Sequence, residues 1–307
     1  MRLITRGNLD GLTCAVLIDH AERIDSIELI HPQDITDDKF RVEEGDILAN
    51  LPYHPSCFKW FDHHSATRTY EKPPSKFEGR YGLAPSTARL VYDYYLWDNP
   101  GFNAYQDLVA ETDRYDSANL SLSDVVDPKD YVLLGFTLDP RTGLGPFQDY
   151  FMTLLDVFRD DERTIDDVIR LPEVSERVKR MRDGREGYLA AMRKYSRLVD
   201  RVLVTDLRSA GPMPAGNRFL VYTLFPEANV WLRIAWGPDK DFVVATIGHS
   251  IFNRTCPVHV GGLLAKYGGG GHRGSGATPL SIEHADELIQ ELILKLNEPV
   301  VLEARRR

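Results

Sequence analysis

The chain has 307 residues, 43% hydrophobic and 27% charged, the composition of a globular protein too long for one ordinary core, so two domains are expected. Its net charge of −9 argues against broad binding to duplex DNA, which needs a basic face. No run of about 18 apolar residues exists, so no membrane span is expected.

The N-terminus carries no signal-peptide pattern. Cys14, Cys57 and Cys256 are far apart and form no CxxC, which fits reduced thiols in a cytoplasm and leaves no Cys-rich zinc site. The first 65 residues alternate in an α/β manner. "RLITRG" reads as a short buried strand, and "GLTCAVLIDHAERI" as a helix with Leu12, Ala15, Val16 and Ile18 at helical spacing. "SIELIHP", "DILANLPY" and "CFKWFDHH" are three further strands. Strands separated by helices or long connections make a parallel sheet, and ligands sit outside its carboxyl strand ends. Arg6 to Asp10, Asn50 and Asp62 to His64 all fall at such ends.

Helices follow at "PSTARLVYDYYLW", with Ser86 as N-cap, at "AYQDLVAETDRYDSA", and at "PFQDYFMTLLDVFRD". A charged helix runs from about Val174 to Val199 and reads as a solvated connector. From Arg201 the texture is β-rich: "RVLVTDL", "RFLVYTL", "VWLRIAW" and "FVVATIG" are strand candidates. A glycine loop and an amphipathic helix, "EHADELIQELILKLN", close the chain. The expected organisation is an α/β domain over residues 1–172, a helical connector over 173–199 and a smaller α+β domain over 200–307.

Gly268 to Gly271 precede His272, Arg273, Gly274, Ser275 and Gly276. Four consecutive glycines are costly in chain entropy. Their N–H groups can converge on an anion, with His272 and Arg273 adding donors; a flexible turn is the plain alternative. Arg254 follows a strand and is either a phosphate clamp or a surface arginine. Asp10 precedes a helix and is either an N-cap or a ligand. Asp62-His63-His64, Asp113 and Asp116 each have a structural reading when taken alone. Carboxylates and imidazoles occurring together suit manganese, iron or cobalt.

Read jointly, these segments resemble the DHH/DHHA1 phosphoesterase family. "FDHH" matches the motif that names it, "GGGGHRGSGA" its C-terminal signature, "ITRGNLDGLTCAVL" its first motif and "ETDRYDSA" its fourth. The resemblance spans both domains in the right order and is nearest to exopolyphosphatase-related members. It implies an N-terminal parallel-sheet domain with helices on both faces, a smaller α+β substrate-binding domain, and metal-dependent attack of water on phosphorus in an interdomain cleft. Family members are often homodimers; no segment of this sequence marks a seam.

The sequence departs from the family's pattern where Arg6, Asn8 and Asn50 replace usual ligands. The resemblance then implies one divalent ion, Mn2+ first and Mg2+ or Co2+ as alternatives, held by Asp10, His63 and Asp113, with Asn50 offering a carbonyl oxygen. Arg6 would supply a fixed positive charge. His64 would contact phosphate or position water, and Asp62 would orient the histidines. Substrate binding falls to Gly269, Gly270, Gly271, His272, Arg273, Arg254, Asn8 and Asp116. The expected activity is an exopolyphosphatase-like phosphohydrolase. The runners-up are a short-oligonucleotide phosphodiesterase and a degenerate member that binds a phosphate or nucleotide without turnover. The partner is accordingly a phosphorylated small molecule, polyphosphate or a short single-stranded oligonucleotide.

Overall fold

The computed structural model describes residues 1–64, 75–160 and 163–298. The chain divides into two compact units, residues 1–185 with 214–218, and residues 186–213 with 219–307.

The first unit opens with β1 (Arg2–Thr5), α1 (Leu9–Ala21), β2 (Ser26–Leu29), α2 (Pro32–Thr36), β3 (Ile47–Ala49), β4 (Lys59–Asp62) and β5 (Gly79–Tyr81). The strands form one parallel sheet in the order β2-β1-β3-β4-β5. The order reverses between β1 and β3, so the loops after these two strands diverge and leave a crevice at their carboxyl ends. The core strands are continuous apolar runs because both faces are covered. Leu3, Ile4, Ile47, Leu48, Trp60 and Phe61 are all buried. Helix α1 is likewise buried from Leu9 through Ile18, which is why its sequence is apolar on nearly every side.

The unit continues with α3 (Thr87–Tyr95), α4 (Gln106–Asp116), α5 (Leu122–Val126), α6 (Asp130–Leu138), α7 (Gln148–Phe158), α8 (Ile165–Ile169) and α9 (Pro172–Tyr195). Helices α2, α5, α6 and α8 and strand β5 go beyond the elements read from the sequence. "DYVLLGFTL" is apolar all round, with Val132 through Leu138 buried, so it has no amphipathic period to reveal it. The long charged helix ends at Tyr195, and the division between the units falls within it, at Arg185. Its expected last turn, Ser196–Val199, is instead strand β6.

The second unit comprises β6, β7 (Val202–Asp206), α10 (Val221–Leu224), β8 (Val230–Trp236), β9 (Val243–His249), α11 (Val260–Leu264), β10 (Gly270–Gly271), β11 (Ser275–Leu280) and α12 (Ala285–Asn297). Its sheet runs β10-β11-β9-β8-β7-β6 and is antiparallel except between β7 and β8. Helix α12 buries Ile289, Leu292, Ile293 and Leu296 in a core shared with Val204, Leu232, Ile247 and Leu264. "RFLVYTL", expected as a strand, is a 3-10 turn followed by α10. Parallel strands need a crossover rather than a hairpin, and this segment lies in the one joining β7 to β8.

Candidate metal centre

The carboxyl ends of β1, β3 and β4 bring Arg6–Asp10, Asn50 and Asp62–His64 to one edge of the parallel sheet. Ligand atoms of Asp10, His63 and Asp116 all lie within 4.8 Å of one another.

Asn8 is the N-cap of α1: its Oδ1 accepts from the Gly11 amide at 2.9 Å. That cap leaves Asp10 inside the first turn, buried and turned to another helix. Its two oxygens accept from the amides of Thr87 (3.1 Å) and Ala88 (2.8 Å), the first residues of α3. The free N–H groups of a helix start thus fix a buried carboxylate that keeps lone pairs for a cation.

His63 donates from Nδ1 to the Ala84 carbonyl at 3.1 Å, which turns Nε2 toward the cluster. That nitrogen stands 3.4 Å from Asp116 Oδ2. A backbone carbonyl on the far ring nitrogen is the usual way a metal-binding imidazole is oriented. Burial works against the imidazolium, but Asp10 and Asp116 outweigh it and raise the His63 pKa. Burial and the Asp10 charge push Asp116 up to about 6. Carboxylates crowded in this way call for a positive charge among them.

Asn50 sits in the left-handed region at φ +60°, which asparagine tolerates better than other side chains. Its Nδ2 donates to Asn8 Oδ1 at 3.2 Å, while its Oδ1 is buried with no hydrogen-bond donor. Asp62 is fully buried. Its Oδ1 accepts from His64 Nδ1 at 2.6 Å, and its Oδ2 is unpaired. Burial raises the Asp62 pKa well above the carboxylate range and, with His63 and Arg6 nearby, drives the His64 pKa well down. His64 is therefore a neutral imidazole whose Nε2 faces Arg6 Nη1 across a long 3.5 Å contact. Orphaned buried oxygens of this kind, beside a carboxylate–imidazole cluster, fit a divalent ion taking hard oxygen and nitrogen donors.

Three expectations change. Asp113 is committed elsewhere: Ser86 Oγ donates to its Oδ1 at 2.6 Å, and Arg89 grips its Oδ2 through Nε (2.9 Å) and Nη2 (2.7 Å). Asp116, three residues on and expected to bind substrate, takes its place in the cluster. Both residues lie in the last turn of α4, and sequence spacing cannot rank them without the Arg89 contact. Asn8 turns its oxygen to a helix cap rather than outward.

The third change concerns the glycine loop. Gly270 and Gly271 form an edge strand against β11. The Gly269 and His272 amides donate to the carbonyls of Leu264 and Ser275 rather than converging on an open site. Glycine is required here by close packing: a Cβ on Gly269 would lie 2.3 Å from Ala277 O. His272 is half-buried, and Arg273 and Arg254 are exposed, with Arg254 Nε donating to Ile251 O at 2.9 Å.

The chain is 35% identical to a pGpG-specific phosphodiesterase, PggH from Vibrio cholerae, covering 96% of this chain and 98% of that one at a TM-score of 0.73. The chain belongs to the DHH/DHHA1 phosphoesterase family. More distant DHH folds agree. RecJ from Thermus thermophilus in complex with Mn2+ is 14% identical at a TM-score of 0.58, over 96% of this chain and 51% of that one. The DHH domain of a member of the s1p family of ribosomal proteins is 13% identical at 0.53, over 97% and 87%. No family model matches the chain, and no curated protein sequence does. Membership of the DHH/DHHA1 family supports a metal-dependent phosphohydrolase.

Proposed function

We propose that this protein hydrolyses the phosphodiester bond of a short linear dinucleotide of the pGpG type. The supporting observation is the end-to-end similarity to the PggH phosphodiesterase, joined to a carboxylate–imidazole cluster at the sheet's switch point. Nothing observed favours polyphosphate over a dinucleotide, so the exopolyphosphatase-like expectation gives way to this one.

Asp10, His63 and Asp116 would hold one divalent ion, Mn2+ first and Mg2+ or Co2+ as alternatives, with Asn50 Oδ1 as a further oxygen. When bound, such an ion supplies Lewis acidity toward phosphorus and lowers the pKa of a water. The protein's own groups do the rest. The α3 amides hold Asp10, and the Ala84 carbonyl sets the His63 tautomer. Asp62 holds the His64 ring through Nδ1 and so turns its Nε2 toward Arg6. Arg6 carries a permanent charge where a phosphate oxygen would gain negative charge in the transition state. In the reaction, water adds to phosphorus, the bond to the 3′ oxygen breaks, and two nucleoside monophosphates leave.

The test is a Mn2+-loaded assay of pGpG beside polyphosphate, with metal content measured on the same sample. Release of mononucleotide by the wild type, lost together with Mn2+ in His63→Ala, is the expected result. Unchanged turnover in His63→Ala would overturn the site, and phosphate release from polyphosphate alone would overturn the substrate.

A further inference from the structure

Beyond the cluster, the first unit carries a second concentration of charge in the turn after α6. Asp139 is buried, only 3% of its side chain exposed, and two arginines hold it. Arg141 grips it in a fork, Nε to Oδ1 at 2.8 Å and Nη2 to Oδ2 at 3.1 Å, while the Arg141 amide also donates to Oδ1. Arg218, brought in by the segment 214–218, pairs with the same carboxylate. Two guanidiniums on one carboxylate leave a net positive charge.

The arrangement orients Arg141 rather than neutralising it. Its side chain is 64% exposed although its anchor is buried, and among the described residues its Nη1 donates to no protein group. An ordinary surface pair gains little from such an anchor, because both long side chains lose freedom for a screened contact. A guanidinium fixed in direction, with one face open, is instead the geometry that meets a phosphate's oxygens.

Its location agrees. The turn that bears Arg141 runs on to Phe147, whose ring packs on Gly7 so closely that a Cβ there would lie 1.9 Å from it. Gly7 separates Arg6 from Asn8 in the loop after β1. The Arg141 charge also reaches Asp116, as the Arg6 charge does.

We propose that Arg141, gripped by Asp139 and backed by Arg218, receives a phosphate oxygen of the substrate next to the Asp10–His63–Asp116 cluster. This rests on the phosphoesterase reading and adds to it a second arginine besides Arg6. The phosphate is either the one being cleaved or the 5′-terminal phosphate of the dinucleotide.

The experiment is calorimetric binding of pGpG and of GpG, which lacks the 5′ phosphate, to the full chain without metal. Turnover is then no part of the readout, so the result stands whether or not pGpG is the substrate cleaved. Wild type is compared with Arg141→Gln and Arg141→Lys, with melting temperatures of all three. Arg141→Gln should weaken pGpG binding about 10- to 100-fold, the size of a charge-assisted hydrogen bond or a pair of them. Arg141→Lys should recover part of it. Loss for pGpG alone assigns the terminal phosphate, and equal loss for GpG assigns the internucleotide phosphate. Equal affinity of wild type and Arg141→Gln for both ligands would overturn the proposal. So would a loss matched by a fallen melting temperature that Arg141→Lys reverses for stability and not for binding.

Discussion

Asn50 is the residue at which this protein's metal chemistry is most directly tested. Its amide nitrogen bonds Asn8 while its oxygen lies buried and bare. Asn50→Asp would replace that donor with a second acceptor against Asn8 Oδ1, costing about 1–3 kcal/mol in the metal-free protein. The new carboxylate would add a charged oxygen donor beside Asp10 and Asp116. Melting in chelator should therefore fall, and melting in Mn2+ should rise above it by more than in the wild type. At the far end of the same sheet, Lys59 is a structural counterpart. Its ammonium is 8% exposed, paired with Glu22 and also bonded to Tyr95 Oη at 3.2 Å. Burial opposes the Glu22 charge, but Lys59 and Tyr95 prevail and hold its pKa below the usual glutamate value. A depressed carboxylate contributes stability above the unfolded pKa and loses it as pH falls through the folded value. The gap in melting temperature between wild type and Glu22→Gln should thus be widest near neutrality and close below about pH 4. Glu22→Ala, which leaves the buried Lys59 ammonium without its carboxylate, should cost about 3–5 kcal/mol by denaturant unfolding.

Among the elements, the glycine-rich hairpin does a different job from the one its sequence suggests. Gly261 of α11 lies so close to β10 that a Cβ would meet Gly271 O at 2.1 Å, and backbone cannot give way as a flexible side chain can. Gly261→Ala should destabilise the second unit by about 1–3 kcal/mol, read as faster hydrogen exchange in β9 and β11. The sequence shows that glycines are needed here but cannot say for which neighbour, because α11 and β10 meet only after folding. Strands β1 to β4 were legible for the opposite reason. β1, β3 and β4 are short, largely apolar runs that lead straight into polar residues at Arg6, Asn50 and Asp62–His64, where the candidate site lies. The candidate ligand carboxylate in α4 was not legible, since Asp113 and Asp116 share a helix end and only Arg89 of α3 and its N-cap Ser86 separate them. "RFLVYTL" misled because a short apolar run fits a buried helical turn as well as a strand.

At the level of the whole molecule, the candidate ion belongs to one unit, and so should its effect. Mn2+ binding should stabilise the first unit by about 2.7 kcal/mol at a hundredfold excess over Kd. Hydrogen exchange should slow at the starts of α1 and α3, and the response should vanish in Asp116→Asn. No helix among the described residues is long and apolar enough to cross a membrane. The return of residues 214–218 to the first unit has a consequence for biosynthesis. The Gly216 amide donates to Thr142 O at 3.0 Å, Asn217 Nδ2 to Val125 O at 3.0 Å, and Arg218 reaches Asp139. A nascent chain that has emerged only as far as Arg185 holds every strand of the parallel sheet and all three residues of the candidate metal cluster, yet Asp139 still lacks one of its two arginines. Translation must deliver much of the next unit's beginning before the first can close. Any pause or cleavage in that interval leaves a sheet without its latch, and a nascent chain arrested there is the species a protease or chaperone would meet.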